Sequence, residues 1–353
     1  MSNTELVLLG GGLIGLLMGG VGQRTGFCLM RGLQHAWVQG DGRKLRAFAL
    51  AMAVALLASQ LLTLVTDLSL DRALYLQPSM SWLLVPLGGA LFGYGMVLAN
   101  GCGARSLVLL GQGNLRSFVV LLCLGIAAYM TMSGVLAPIR LWLEGISTVR
   151  LPARSLPGML TQANVDPKLA LWLCTAVLSG LLAFWALRNK AFVASRPDLT
   201  GGVVMGLLVA AGWWVTGVLG NDIFTPVRLA SLTFIAPIGD SVQYLMIATG
   251  MAPTFSIAVV GGVIVGSFVM ALLGGRFQWE TFSSPQHMQR SVLGGILMGI
   301  GGVLSLGCSI GQGLTGFSTL ALTSFVAVGG ILLGAWIGLK RASKTPFFSI
   351  WRC

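Results

Sequence analysis

Residues 88–102 read GGALFGYGMVLANGC, and residues 294–308 read GGILMGIGGVLSLGC. At one constant offset, Gly88, Gly89, Leu91, Gly93, Gly95, Val97, Leu98, Gly101 and Cys102 recur as Gly294, Gly295, Leu297, Gly299, Gly301, Val303, Leu304, Gly307 and Cys308. Small residues at helical spacing are common in membrane helices, and GxxxG alone says little. A cysteine in register with the whole pattern points instead to an internal repeat. Both copies run on to Gly-Gln-Gly, at 111–113 and 311–313, at different distances from the cysteine. A fainter echo pairs Gly11 and Gly15 with Gly202 and Gly206.

The rest of the chain says what kind of helix carries this repeat. Of 353 residues, 55% are hydrophobic and 9% charged, with mean hydropathy +0.86. A soluble domain carries about 25% charged residues, so too few polar groups exist to cover a water-facing surface. The bilayer is the solvent. A hydrocarbon core of about 30 Å needs roughly 20 helical residues. Nine runs fit: 5–21, 47–65, 82–99, 115–139, 169–187, 200–219, 254–273, 291–306 and 320–339. The pieces 26–37, 103–113, 223–250 (in two parts) and 309–317 are too short or too Gly-rich to cross. They read as re-entrant half-helices, tolerated at membrane depth only inside protein or beside a water-filled cavity.

This predicts an all-α polytopic fold of two pseudo-repeats, 1–150 and 195–342, with a connecting span at 165–190 and a cytoplasmic tail at 343–353. Four spans in each half and one between them turn the second half upside down. Inverted repeats place a binding site at their interface near the midplane, where helices break; that is transporter architecture. With the N-terminus outside, 16 of the 22 Lys and Arg residues fall on the inner side. The positive-inside rule then sets the N-terminus in the periplasm and the C-terminus in the cytoplasm of a bacterial inner membrane. The first residues hold no Lys or Arg before the apolar run, so they read as a retained span rather than a signal peptide. The net charge of +12 sits between apolar runs, where it meets lipid head groups rather than nucleic acid.

Chemistry concentrates at three cysteines beside glycine at span ends: Gly26-Phe27-Cys28, Gly101-Cys102-Gly103 and Gly307-Cys308-Ser309. Glycine lets the backbone turn out of a helix and lets a solute come close. A half-helix starting after such a cysteine aims free N–H groups at an anion. The thiol adds a soft donor and acceptor, and a neutral donor holds an anion without trapping it as a buried Lys does. Arg24, Arg31 and Arg105 lie nearby and would draw anions to the inner mouth. Taken singly, each cysteine reads as a small buried hydrophobe; taken jointly, with glycine flanks and repeat symmetry, the three read as a path. Cys123 and Cys174 lack both signs and read as packing, and Cys353 as an incidental tail thiol. Two histidines and no paired-cysteine spacing give no metal site and no cofactor.

The stretches Gln23-Arg24-Thr25-Gly26-Phe27-Cys28, Asn100-Gly101-Cys102 and Leu306-Gly307-Cys308-Ser309-Ile310-Gly311-Gln312-Gly313 carry a resemblance to the YeeE/YedE family of thiosulfate transporters, over nearly the whole chain. The resemblance implies an hourglass-shaped inverted-repeat fold and thiosulfate uptake past Cys28, Cys102 and Cys308 through S–H···S contacts. It also implies a small TusA-like sulfur-carrier protein as cytoplasmic partner. One departure is Gly103-Ala104-Arg105, a cation where the family pattern has small or hydroxyl residues. Topology orders the relay inward, from Cys308 through Cys102 to Cys28.

Asp240, in Pro237-Ile238-Gly239-Asp240, falls where the second half should mirror the Cys28 loop. It reads as a helix cap ahead of a proton site. Asn221-Asp222 reads as a turn, and Trp213 and Trp214 as packing or interface anchors. Gln112 and Gln312 donate to an oxyanion or satisfy buried backbone. Competing functions are a membrane sulfur-transfer enzyme forming a persulfide, a passive anion channel, and a carrier of another oxyanion such as sulfite or selenite. No histidine lies beside the three cysteines to serve as the base a persulfide enzyme needs, and no GxxxxGK[ST] loop supports primary pumping.

Overall fold

The computed structural model describes residues 2–66, 68–221 and 227–344. Asp222 of the expected turn and the end of the tail with Cys353 lie outside the described residues. The helices, in chain order, are α1 (Asn3–Thr25), α2 (Leu29–Val38), α3 (Arg43–Val65), α4 (Leu84–Leu98), α5 (Gly103–Gly111), α6 (Leu115–Met132), α7 (Ala137–Ser147), α8 (Leu156–Gln162), α9 (Pro167–Leu187), α10 (Lys190–Ala194), α11 (Arg196–Trp214), α12 (Ile235–Ile247), α13 (Phe255–Leu273), α14 (Pro285–Leu304) and α15 (Leu322–Lys344). The only sheet among the described residues pairs Ser79–Ser81 with Thr148–Arg150. The chain is an all-α multi-pass membrane protein.

Among the described residues, eight segments are long and apolar enough to cross a bilayer, and two of them, Asn3–Val38 and Leu84–Gly111, contain a break. Helix α14 is the ninth long helix. It falls short on hydropathy because Gln286, His287, Gln289 and Arg290 fill its first turns. The expected run 115–139 is instead two helices: α6 stops at Ser133-Gly134, and Pro138 sits in the first turn of α7. Of the short apolar pieces, 26–37, 103–113 and the second part of 223–250 form α2, α5 and α12, and 309–317 holds a π-helical turn at Gly311–Gly316; residues 223–226 of the remaining part lie outside the described residues.

The main helix contacts come in reciprocal pairs. Helix α1 lies on α13 as α3 lies on α11, and α4 lies on α15 as α6 lies on α14. At the centre α4 and α14 cross antiparallel: a Cβ at Gly88 would stand 2.8 Å from the Gly301 carbonyl, and one at Gly95 2.8 Å from that of Gly294. Without a hydrophobic drive between helices in lipid, such backbone proximity supplies the van der Waals contact that holds them. Helix α9 packs mainly on α3, burying one face (Ala170, Cys174, Thr175, Ser179), and Arg46 stacks on Trp185 at 4.5 Å.

Polar ties fix the ends of these helices. Lys44 Nζ donates to the Thr25 carbonyl at 2.5 Å and to Asp198 Oδ1 at 2.7 Å, while Ser195 Oγ donates to Asp198 Oδ2 at 2.8 Å. The start of α11 thus clamps the end of α1, just before Cys28. Asp198 is 5% exposed, so removing it strands a partly buried ammonium. Asp198→Ala is expected to cost about 3 kcal/mol, read as a lowered melting midpoint in detergent. Asp41→Ala, which breaks the exposed pair with Arg43, should cost at most about 1 kcal/mol.

Candidate substrate path

The three cysteines share one local construction. Helix α1 ends at Gly26 (φ 65°), α4 at Asn100 (φ 61°) and α14 at Leu306 (φ 58°), each two residues before a cysteine. The closing hydrogen bonds repeat as well: Gly101 N–H donates to the Met96 carbonyl at 2.9 Å, and Gly307 N–H to that of Gly302 at 2.8 Å. Each cysteine carbonyl then accepts the first bond of a new helix, from Gly32 at 3.0 Å, Ser106 at 2.9 Å and Gln312 at 2.7 Å. Glycine and asparagine enter the left-handed region readily, whereas Leu306 does so at a cost of about 1–2 kcal/mol. A strained turn kept next to Cys308 points to a working site.

The thiols are buried, with Cys28 4%, Cys102 2% and Cys308 0% exposed. Cys28 and Cys102 meet at one small cavity, close enough for their side chains to influence each other. Ser309 borders Cys102, and its fully buried hydroxyl lacks a partner of hydrogen-bond geometry. Cys308 Sγ accepts from the Gly311 N–H at 3.2 Å and faces the backbone of Phe234. A cavity of about 10 Å³ touches Cys28, Cys102 and Ser309, room for about one water. Met18, Met205, Phe27 and Phe48 complete its wall, and the two phenyl rings stack at 5.5 Å. On the Cys308 side Tyr75, from the loop between α3 and α4, packs near Cys308 and Thr233.

Behind Cys28 and Cys102 opens a vestibule of about 400 Å³, lined by Arg24, Gly26, Arg31, Asn100, Arg105, Arg116, Arg276 and Glu280 among others. Arg105 is buried and Arg31 half-buried, whereas Arg24 and Arg276 are exposed. Arg116 and Arg276 come from α6 and from the loop after α13, too far along the chain for spacing to have tied them to the cysteines.

Other expectations resolve differently. Gln312 Nε2 donates to the Ser305 carbonyl at 2.6 Å and its Oε1 accepts from Ser324 Oγ at 2.7 Å, so it satisfies buried groups on both sides. The two Gly-Gln-Gly runs are not mates: 111–113 closes α5, whereas 311–313 opens the π-helical turn. Asp240 does not cap a helix. It lies inside α12 and accepts from the Tyr129 hydroxyl, because α12 starts earlier than the motif suggested. The residue leading into α12 is the fully buried Phe234, whose carbonyl accepts from Ile238 at 3.3 Å, as that of Cys28 does from Gly32. The fourth break thus carries an aromatic plug where the other three carry thiols. Cys174 packs with Leu56, Phe317 and Leu320, Cys123 lies against Gly295, and Trp213 is buried with Nε1 donating to Ser318 Oγ at 3.1 Å.

Two relatives align along almost the entire chain. A protein named thiosulfate transporter TsuA from Escherichia coli (strain K12) is 27% identical over 94% of this chain and 93% of its own length. A protein of the same name from Spirochaeta thermophila (strain ATCC 700085 / DSM 6578 / Z-1203) is 26% identical over 92% of this chain and 96% of its own. The profile of the sulphur transport family matches residues 24–337, which takes in all three cysteine breaks and the vestibule. This chain belongs to the sulphur transport family.

Proposed function

We propose that the chain takes up thiosulfate, or a related reduced-sulfur anion, along a path lined by Cys28, Cys102 and Cys308. The observation that carries this reading is the meeting of Cys28, Cys102 and Ser309, from three helix breaks, at one small cavity, with Cys308 the residue before Ser309. Thiosulfate presents a terminal sulfur at one end and oxyanion oxygens at the other. Soft thiols match the first, and the amides at helix starts match the second. A thiol holds an anion without the full positive charge of a buried Lys, which favours the release that conduction through adjacent sites requires.

The chain is read as two inverted repeats, 1–150 and 195–342, joined by the span 165–190. The reciprocal helix contacts support this division. The basic residues favour a periplasmic N-terminus and a cytoplasmic C-terminus in the inner membrane, which turns the arginine vestibule to the cytoplasm and runs the relay from Cys308 inward. A TusA-like carrier protein would receive sulfur there, and lipid head groups would meet the remaining surface arginines.

The test is growth of a thiosulfate-uptake-deficient bacterium carrying this chain, with thiosulfate as sole sulfur source. Growth is expected, together with uptake of labelled thiosulfate that excess sulfate, sulfite or selenite leaves largely intact. Growth on one of those anions and none on thiosulfate would move the substrate assignment to that anion.

A further inference from the structure

We infer that the vestibule holds a second anion station, distinct from the thiol row, in which a small divalent oxyanion is bound by Arg105 and Arg31. The inference rests on the transport reading for its purpose, but its evidence is separate. Arg105 is 6% exposed. Its Nη1 donates to the Gly22 carbonyl at 3.3 Å, and its Nε is buried without any partner. Among the described residues, neither Arg105 nor Arg31 pairs with a carboxylate. Glu280, the acidic residue lining the vestibule, is exposed and bonded to Asn114. A guanidinium has five donors and no way to shed its charge, and burying it unpaired costs several kcal/mol. The half-buried Arg31 lines the same cavity, and its like charge works against that of Arg105. An oxyanion would supply the missing counter-charge, and the cavity of about 400 Å³ has room for one.

Position gives the station its role. Arg105 sits in the first turn of α5, next to Cys28 and Cys102. The thiol cavity and the vestibule lie back to back on consecutive residues: Gly22 with Gln23, Phe27 with Gly26, Ala104 with Arg105. An anion leaving the thiols meets these guanidinium groups first. Guanidinium recognises oxygen and charge, not terminal sulfur, so the station binds sulfate as well as thiosulfate. Discrimination belongs to the thiols, and the station only draws the ion off them.

Titration calorimetry on the full chain in detergent, with sodium thiosulfate and sodium sulfate, tests this. Sulfate is expected to bind the wild-type protein, less tightly as salt is raised. Arg105→Gln should weaken sulfate binding about tenfold or more, while Cys174→Ala, which alters only the cluster of Leu56, Phe317 and Leu320, leaves it unchanged. If Arg105→Gln is not recovered folded, Arg31→Gln replaces it, with the same expected loss. No sulfate binding by the wild type, or unaltered binding in the arginine variants, overturns the station. Transport that survives loss of the cysteines would instead overturn the thiol path and leave the station standing.

Discussion

Cys102→Ala is expected to abolish growth on thiosulfate, and Cys102→Ser is expected not to restore it. Cys102 is the middle of the row: it shares one cavity with Cys28 and with Ser309, one residue from Cys308. Alanine removes donor and acceptor together. Serine restores a hydrogen bond but substitutes a harder oxygen on a shorter bond, which no longer matches a terminal sulfur. The fold should survive both changes, since deleting one buried sulfur costs about 1 kcal/mol or little more. Cys123→Ala and Cys174→Ala are the controls. They remove thiols of the same chemistry that pack against Gly295 and the Leu56–Phe317 cluster, and both should grow as wild type. The readout is the initial rate of labelled thiosulfate uptake, normalised to protein in the membrane. Wild-type rates from Cys102→Ala and Cys308→Ala together would leave the cysteine row as packing alone.

What could be read from the chain and what could not divides along physical lines. Spans announce themselves because a bilayer demands long apolar runs, and helix breaks do so where glycine precedes a cysteine in register with a repeat. The misreadings come from features without composition. The run through 139 stays apolar while the helix stops at Ser133, and hydropathy does not register a turn made by Ser-Gly. Asp240 looked like the mirror of Cys28 because it is polar, yet the structural mirror is Phe234, an ordinary apolar residue in an apolar stretch. Phe48 and Tyr75, which lie beside the cysteines, come from α3 and from the loop after it. Only the folded packing brings them to the cysteines. The arginines were legible as charge on one side but not as a cavity. The buried, unpartnered state of Arg105 is a property of three dimensions.

Two Gly-Gly pairs offer the sharpest test of how the helices are held: in each, one glycine should be indispensable and its neighbour idle. On α15, a Cβ at Gly330 would stand 2.5 Å from the Pro86 carbonyl, whereas one at Gly329 meets nothing within 4 Å. On α13, a Cβ at Gly262 would overlap the Gly12 carbonyl of α1, whereas one at Gly261 again meets nothing within 4 Å. The obstructing atoms are backbone, so no rotamer change relieves them, and the helices must separate. In lipid that separation forfeits the contact that holds them, with no hydrophobic effect to compensate. Gly262→Leu and Gly330→Leu are each expected to cost more than about 3 kcal/mol and to abolish the monodisperse peak in detergent size-exclusion chromatography. Gly261→Leu and Gly329→Leu, with the same added side chain one position away, should elute as wild type. Sequence spacing cannot separate these neighbours, since each pair is simply Gly-Gly in an apolar run. Equal behaviour within both pairs would mean that α1 does not lie on α13, nor α4 on α15. The breaks that seat Cys28 and Cys102, which directly follow α1 and α4, would then lose the support that brings their thiols together.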